Sequence, residues 1–205
     1  MTDSKYWEKY YNSHLIFKEA SPFAKFILEE YSPSGTMIEL GCGNGRDTAF
    51  FAKNSIKHIT GVDQCPNVIG QLRSLEIPNA SFVQYDFTSL SNESNYDHIY
   101  SRFTLHSIDR DEASKTMQWA YEALVVGGQF YIEVRSVNDE FCGLGESLGD
   151  DAWFSDHYRR FIRIEEMSEE LESYGFRLIY KIESKGFAPY KEEDPLIIRI
   201  VAEKK

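Results

Sequence analysis

Two groups of residues in this sequence have types and spacing suited to chemistry. The first is Met37-Ile-Glu-Leu-Gly-Cys-Gly-Asn-Gly-Arg46, in which Gly41, Gly43 and Gly45 stand at alternate positions after a short apolar run. Glycines permit positive φ and let the backbone approach a ligand closely. A helical pattern begins near Asp47, and a helix N-terminus adds unpaired N–H groups. Asp63 closes the next strand-like run, where an acid can hold ribose hydroxyls. The second group is His106, Arg102, Arg135, Tyr158, Arg159 and Arg160. Imidazole titrates near neutrality, so His106 is the candidate general base toward a proton-bearing nucleophile, with a hydrogen-bonded loop histidine as the alternative. Arginines clamp phosphate or carboxylate by paired hydrogen bonds, which points to an anionic substrate. The same arginines could instead pair with Asp150, Asp151 or Asp156 on a solvated face.

The surrounding pattern says what must position these groups. Strands are expected at 37–40, 58–63, 80–85, 96–101, 129–135, 176–182 and 196–201. Helices are expected from Pro22 with Ser21 as cap, over 48–53, over 66–75, and over 110–124 with Asp109 as cap. A further helix should start at Ser168 and end at Gly175. Gly127-Gly128 reads as a tight turn. Strands alternating with helices imply an α/β fold with a parallel, doubly wound sheet. Ligands in such sheets bind outside the carboxyl ends of the strands. That rule selects one rim: the glycine loop, Asp63, Asp86, residues 101–106, and Arg135-Ser136. Residues 137–164 break the alternation, and a connection this long is expected to be a lid over that rim.

The chain of 205 residues suits a single domain. Lys plus Arg number 22 and Asp plus Glu 33, a net charge of −11, which argues against a broad nucleic-acid or anionic-membrane surface. Cys42, Cys65 and Cys142 are odd in number and lack metal spacing, so neither a disulfide framework nor a metal centre is expected. Cys42 reads as a small side chain in the loop. With no apolar run of membrane-spanning length and no leader-like opening, a cytoplasmic protein is expected.

The spacing also argues against a dinucleotide, whose fingerprint is G-x-G-x-x-G, and Asp47 would repel a pyrophosphate. The acid–x–Gly–x–Gly–x–Gly pattern of residues 39–45, followed by Asp63, resembles motif I of class I S-adenosylmethionine-dependent methyltransferases. The resemblance covers residues 38–136 well and the insert loosely. It implies a Rossmann-like, mostly parallel seven-stranded sheet closed by an antiparallel hairpin, a helical cover over residues 1–34, and a substrate lid over 137–164. It places the glycine loop beside the methionine part of the cofactor, Asp86 against the adenine amino group and Phe87 on the ring; the residue-level alternative for Asp86 is a turn cap. The expected cofactor-binding set is Tyr11, Glu39, Gly41, Gly43, Arg46, Asp63, Gln64, Asp86, Phe87 and Ser101. The expected substrate-binding set is Arg102, Arg135, Tyr158, Arg159 and Arg160. The string His157-Tyr-Arg-Arg-Phe resembles small bacterial methyltransferases of surface-polysaccharide and sugar modification.

These readings converge on S-adenosyl-L-methionine as cofactor and on methyl transfer to a hydroxyl or phosphate oxygen of a small sugar- or phosphate-containing metabolite. Such transfer is an in-line displacement in which the protein aligns the reactants and excludes water. The alternatives are N-methylation of a small amine, a cofactor-binding regulatory subunit without chemistry, and a nicotinamide dehydrogenase. The expected partner is a small molecule, with the chain a monomer or homodimer.

Overall fold

A computed structural model describes residues 6–7, 9–10, 19–54, 56–91 and 95–205. The first helix, α1 (Pro22–Tyr31), is capped by Ser21, whose hydroxyl accepts from the Ala24 N–H at 3.0 Å. There follow β1 (Gly35–Leu40), α2 (Arg46–Asn54), β2 (Ile56–Asp63), α3 (Pro66–Ser74) and β3 (Ala80–Gln84). A short 3-10 turn (Phe87–Ser89) leads to β4 (Tyr96–Arg102), α4 (Arg110–Ala123) and β5 (Leu124–Arg135). Beyond β5 come β6 (Glu146–Gly149), β7 (Ala152–Phe154), β8 (Tyr158–Arg160), α5 (Ile164–Ser173), β9 (Phe176–Ser184) and β10 (Ile197–Lys204).

The main sheet has seven strands in the order β3-β2-β1-β4-β5-β10-β9. Neighbours from β3 to β5 are parallel, and β10 is antiparallel to both β5 and β9. The expected mostly parallel sheet with a closing antiparallel hairpin is therefore observed. The strand order reverses between β1 and β4, which opens a crevice at their carboxyl ends.

Side-chain alternation sends successive residues to opposite faces. Ile38, Leu40, Ile99, Phe130, Ile132, Val134 and Ile200 pack with α4 and α5, while Met37, Tyr100, Tyr131 and Val201 pack with α1 and α2. The α1–α2 face also carries a buried charged group. Glu133, fully buried, lies between Arg199 Nε at 2.8 Å and Arg102 Nε at 2.9 Å. Arg199 is further held by the Phe187 carbonyl at 3.1 Å and lies over the rings of Phe23, Phe26 and Phe187. A charge without such partners would be costly on this face.

Two sequence expectations are corrected. Ser168 is not a cap: α5 starts a turn earlier, and the Ser168 hydroxyl donates to the Ile164 carbonyl within the helix. The acids of the first turn are Glu165 and Glu166. β5 begins at Leu124, because the backbone becomes extended as soon as α4 ends, and Gly127 (φ 79°) lies inside the strand where the register with β4 shifts. The insert has regular structure of its own, a three-stranded antiparallel sheet in the order β6-β7-β8.

Candidate active site

The crevice is a cavity of about 650 Å³, within the range of small-molecule and cofactor sites. Its floor is the glycine loop. Gly41 and Gly43 have φ of 68° and 51°. A Cβ at Gly41 would lie 2.3 Å from the Thr104 methyl group, so the loop after β4 can close on the loop after β1 only with glycine there. Asp63 braces this floor: its carboxylate accepts from the Gly43 N–H at 2.9 Å and the Cys65 N–H at 2.9 Å. Two bonds on two oxygens leave lone pairs for a ligand's hydroxyls.

Glu39 is buried beneath the loop and accepts from the Thr48 hydroxyl. Burial, with the charge of Asp47 added, pushes its carboxyl well above the usual range. Cys42 is buried, and burial together with Asp63 and Glu39 pushes its thiol up, so it is no thiolate nucleophile. Asp47 does not face a ligand alone. It accepts from the Ser21 N–H and the Ser21 hydroxyl, each at 2.7 Å, and from the Tyr100 hydroxyl at 3.0 Å, so it ties α1 to α2 and β4.

Of the cofactor-binding residues expected from sequence, Glu39, Gly41, Gly43, Arg46, Asp63, Gln64 and Phe87 line the cavity. Asp86 does not: one carboxylate oxygen accepts from the Thr88 N–H at 3.0 Å and hydroxyl at 2.8 Å, which caps the 3-10 turn. Ser101 lies fully buried behind Thr104, hydroxyl against hydroxyl, and only Thr104 reaches the cavity. Tyr11 lies outside the described residues.

Of the acceptor-side residues, Arg102, His106, Arg135 and Arg159 line the cavity. Tyr158 and Arg160 do not. The Arg160 backbone N–H donates to the His106 carbonyl at 2.8 Å and its guanidinium to the Leu105 carbonyl at 3.2 Å, so Arg160 braces the loop that carries the histidine. Each lining arginine has a carboxylate beside it. Arg102 meets Glu133, Arg135 meets Asp139 at 3.1 Å and Glu193 at 3.3 Å, and Arg159 meets Asp156 at 2.9 Å. Burial acts against the Arg102 charge, but Glu133 and Asp47 hold its pKa above the ordinary value.

His106 is buried after β4, and its Nδ1 accepts the Arg135 backbone N–H at 3.1 Å. Burial first, then Arg135, Arg159, His157 and Arg160, hold its pKa well below that of ordinary imidazole. The general-base role expected from sequence meets an obstacle here, because the lone pair on Nδ1 is already engaged.

Further residues line the cavity, and of these the β9–β10 loop was not singled out by sequence. Tyr6, Trp7 and Tyr10 form part of the wall; Tyr6 stacks on His157 at 4.2 Å and donates its hydroxyl to Asp156 at 3.2 Å. Ala188, Pro189, Tyr190, Lys191 and Glu193 come from the β9–β10 loop. Because β10 runs antiparallel to β5, that loop returns to the same rim, and the Gly-Phe-Ala-Pro string between two strands was the available signal. Among the described residues, no cluster of ligands could hold a metal ion, and no helix is long and apolar enough to cross a membrane.

The geometry has counterparts. Residues 11–181 match the family profile described as methyltransferase domain. The chain belongs to that methyltransferase family. A S-adenosylmethionine-dependent methyltransferase from Clostridium acetobutylicum superposes with a TM-score of 0.71 at 17% identity, over 89% of this chain and 91% of that one. The 1,6-didemethyltoxoflavin-N1-methyltransferase of Burkholderia thailandensis, solved with 1,6-didemethyltoxoflavin and S-adenosylhomocysteine, gives 0.69 at 18%, over 90% and 77%. The glycopeptide N-methyltransferase MtfA gives 0.70 at 16%, over 91% and 97%. No functionally curated protein sequence matches the chain. The residues present fit the cofactor: a glycine floor admitting close approach, a braced carboxylate for ribose hydroxyls and a buried aromatic at Phe87.

Proposed function

We propose that this enzyme transfers a methyl group to an oxygen of a small anionic metabolite bearing a sugar or phosphate. The cofactor supplies an electrophilic methyl group on a sulfonium. Glu39, Gly41, Gly43, Arg46, Asp63, Gln64 and Phe87 would hold it, and Arg102, Arg135 and Arg159 would orient the acceptor. The observation that carries this reading is the convergence of Arg102, Arg135 and Arg159 on the cavity wall that His106 also lines. Each of these arginines also meets a carboxylate, so an anionic acceptor would share its guanidinium with that partner. Tyr6, Trp7, Tyr10 and residues 137–164 would cover the site and keep water out. Cys42, Cys65 and Cys142 form no disulfide among the described residues, which fits a reducing, cytoplasmic setting, with the enzyme acting as a monomer or homodimer on a small molecule.

The test is a transfer assay with methyl-labelled cofactor against phosphorylated sugars, sugar acids and small amines. Labelled phosphate or carboxylate esters are expected. Label found only in the amines would replace this reading with N-methylation.

A further inference from the structure

His106 stands where a base would be sought, yet its hydrogen bonding assigns it the opposite role. Nδ1 accepts the Arg135 backbone N–H at 3.1 Å, and a main-chain N–H can only donate. The ring nitrogen that accepts carries no hydrogen, so the neutral ring carries its hydrogen on Nε2. Taking up a second proton would place a hydrogen on Nδ1 against the Arg135 N–H. The groups around the ring also oppose a second positive charge: Arg135 at the end of β5, His157 before β8, and Arg159 and Arg160 on β8. Arg160 holds the Leu105 and His106 carbonyls, which fixes the backbone that carries the ring.

We propose that His106 presents Nε2–H to an oxygen of a substrate that is already ionised, a phosphate or carboxylate, and that methyl transfer here uses no general base. This rests on the anionic-acceptor reading above and narrows it, since a neutral hydroxyl or a protonated amine would need a base that the site does not offer at His106. Phosphate and carboxylate carry more than one oxygen. One takes the Nε2–H bond, and another is free to react. A lone pair on that oxygen forms the O–C bond as the C–S bond breaks, and the C–S pair stays on sulfur. No proton is released, because the acceptor brings none.

The tautomer can be read on the ring itself. Protein labelled with [15N]histidine and saturated with S-adenosylhomocysteine is studied by long-range 1H–15N spectroscopy, with His106 assigned from the signal missing in His106→Gln. The expected pattern is Nε2–H throughout the neutral pH range, with Nε2 shifted by inorganic phosphate and by glucuronate but not by methylammonium. An Nδ1–H pattern, a ring titrating at the ordinary imidazole value, or a shift with methylammonium alone would overturn the proposal. Variants supply a second measure. His106→Gln can accept from Arg135 and still donate, so phosphate affinity should stay within about threefold, whereas His106→Leu should lose about tenfold or more. Equal phosphate affinity in all three proteins would also overturn it. The tautomer does not depend on the acceptor used, so an enzyme found to methylate amines defeats the substrate reading while these spectra still decide the donor role.

Discussion

Replacing Asp47 by alanine should loosen the fold and the cavity wall together. The carboxylate is buried at 2% exposure and accepts three hydrogen bonds, from the Ser21 N–H, the Ser21 hydroxyl and the Tyr100 hydroxyl. Hydrogen bonds to a charged acceptor contribute about 1.5–3 kcal/mol each. The full sum is not lost, because Ser21 and Tyr100 lie 3.1 Å apart and can bond to each other. The stranded group is the Ser21 N–H, which donates to the Asp47 carboxylate at 2.7 Å. A net loss of about 3 kcal/mol follows. In a chain of this length 1 kcal/mol moves Tm by about 2–4 °C, so calorimetric unfolding should show a drop of about 6–12 °C. Asp47→Asn should cost only about 1 kcal/mol, since its amide oxygen still accepts from Ser21 and its amide nitrogen can donate to the hydroxyls. Pro22 and Asp47 both line the cavity, so affinity for S-adenosylhomocysteine should fall with Tm. An alanine variant with wild-type Tm, or an asparagine variant as damaged as alanine, would refute the assignment of stability to these three bonds.

Asp63→Ala should weaken S-adenosylhomocysteine binding by about 1.5–3 kcal/mol in titration calorimetry, and an unchanged Kd would remove Asp63 from the site. In hydrogen exchange the insert should divide. Residues 143–157 should slow when cofactor and substrate bind, while the amides of Arg160 and Ile162, bonded to the His106 and Arg135 carbonyls, should be protected throughout. Uniform exchange over 137–163 would contradict that division. His106 also sets a pH dependence. Its folded pKa is depressed, so the unfolded chain takes the proton first as pH falls through about 6.5, and stability declines below that pH and is flat above it. Denaturant midpoints should show this slope reduced in His106→Gln. An identical slope would pass the effect to His98, whose pKa burial also lowers.

The sheet and its working rim could be read from sequence because they depend on local pattern. Apolar runs, the glycine loop and Asp63 follow one another along the chain, and the carboxyl-end rule converts them into a site. What escaped depends on contacts between distant segments. Asp86 sits at the right strand end, but Thr88 claims one of its oxygens. Arg159 and Arg160 are neighbours on a strand, so they face opposite sides, and only Arg159 reaches the cavity. The fate of the His106 lone pair was decided by a backbone N–H 29 residues away. The β9–β10 loop became visible as a wall only once β10 was known to run antiparallel.

The reversal of strand order between β1 and β4 has a consequence for how such an enzyme can change over time. It divides the cavity's contributors into two sets that share no strand. The carboxyl ends of β1, β2 and β3, with the loops after them, supply Gly43, Asp63 and Phe87, and those of β4, β5 and β9 supply His106, Arg135 and Tyr190. An insertion or exchange in the second set, above all between β9 and β10, leaves the backbone of the first untouched. New acceptors can therefore be acquired by replacing one surface segment, with the donor half inherited intact.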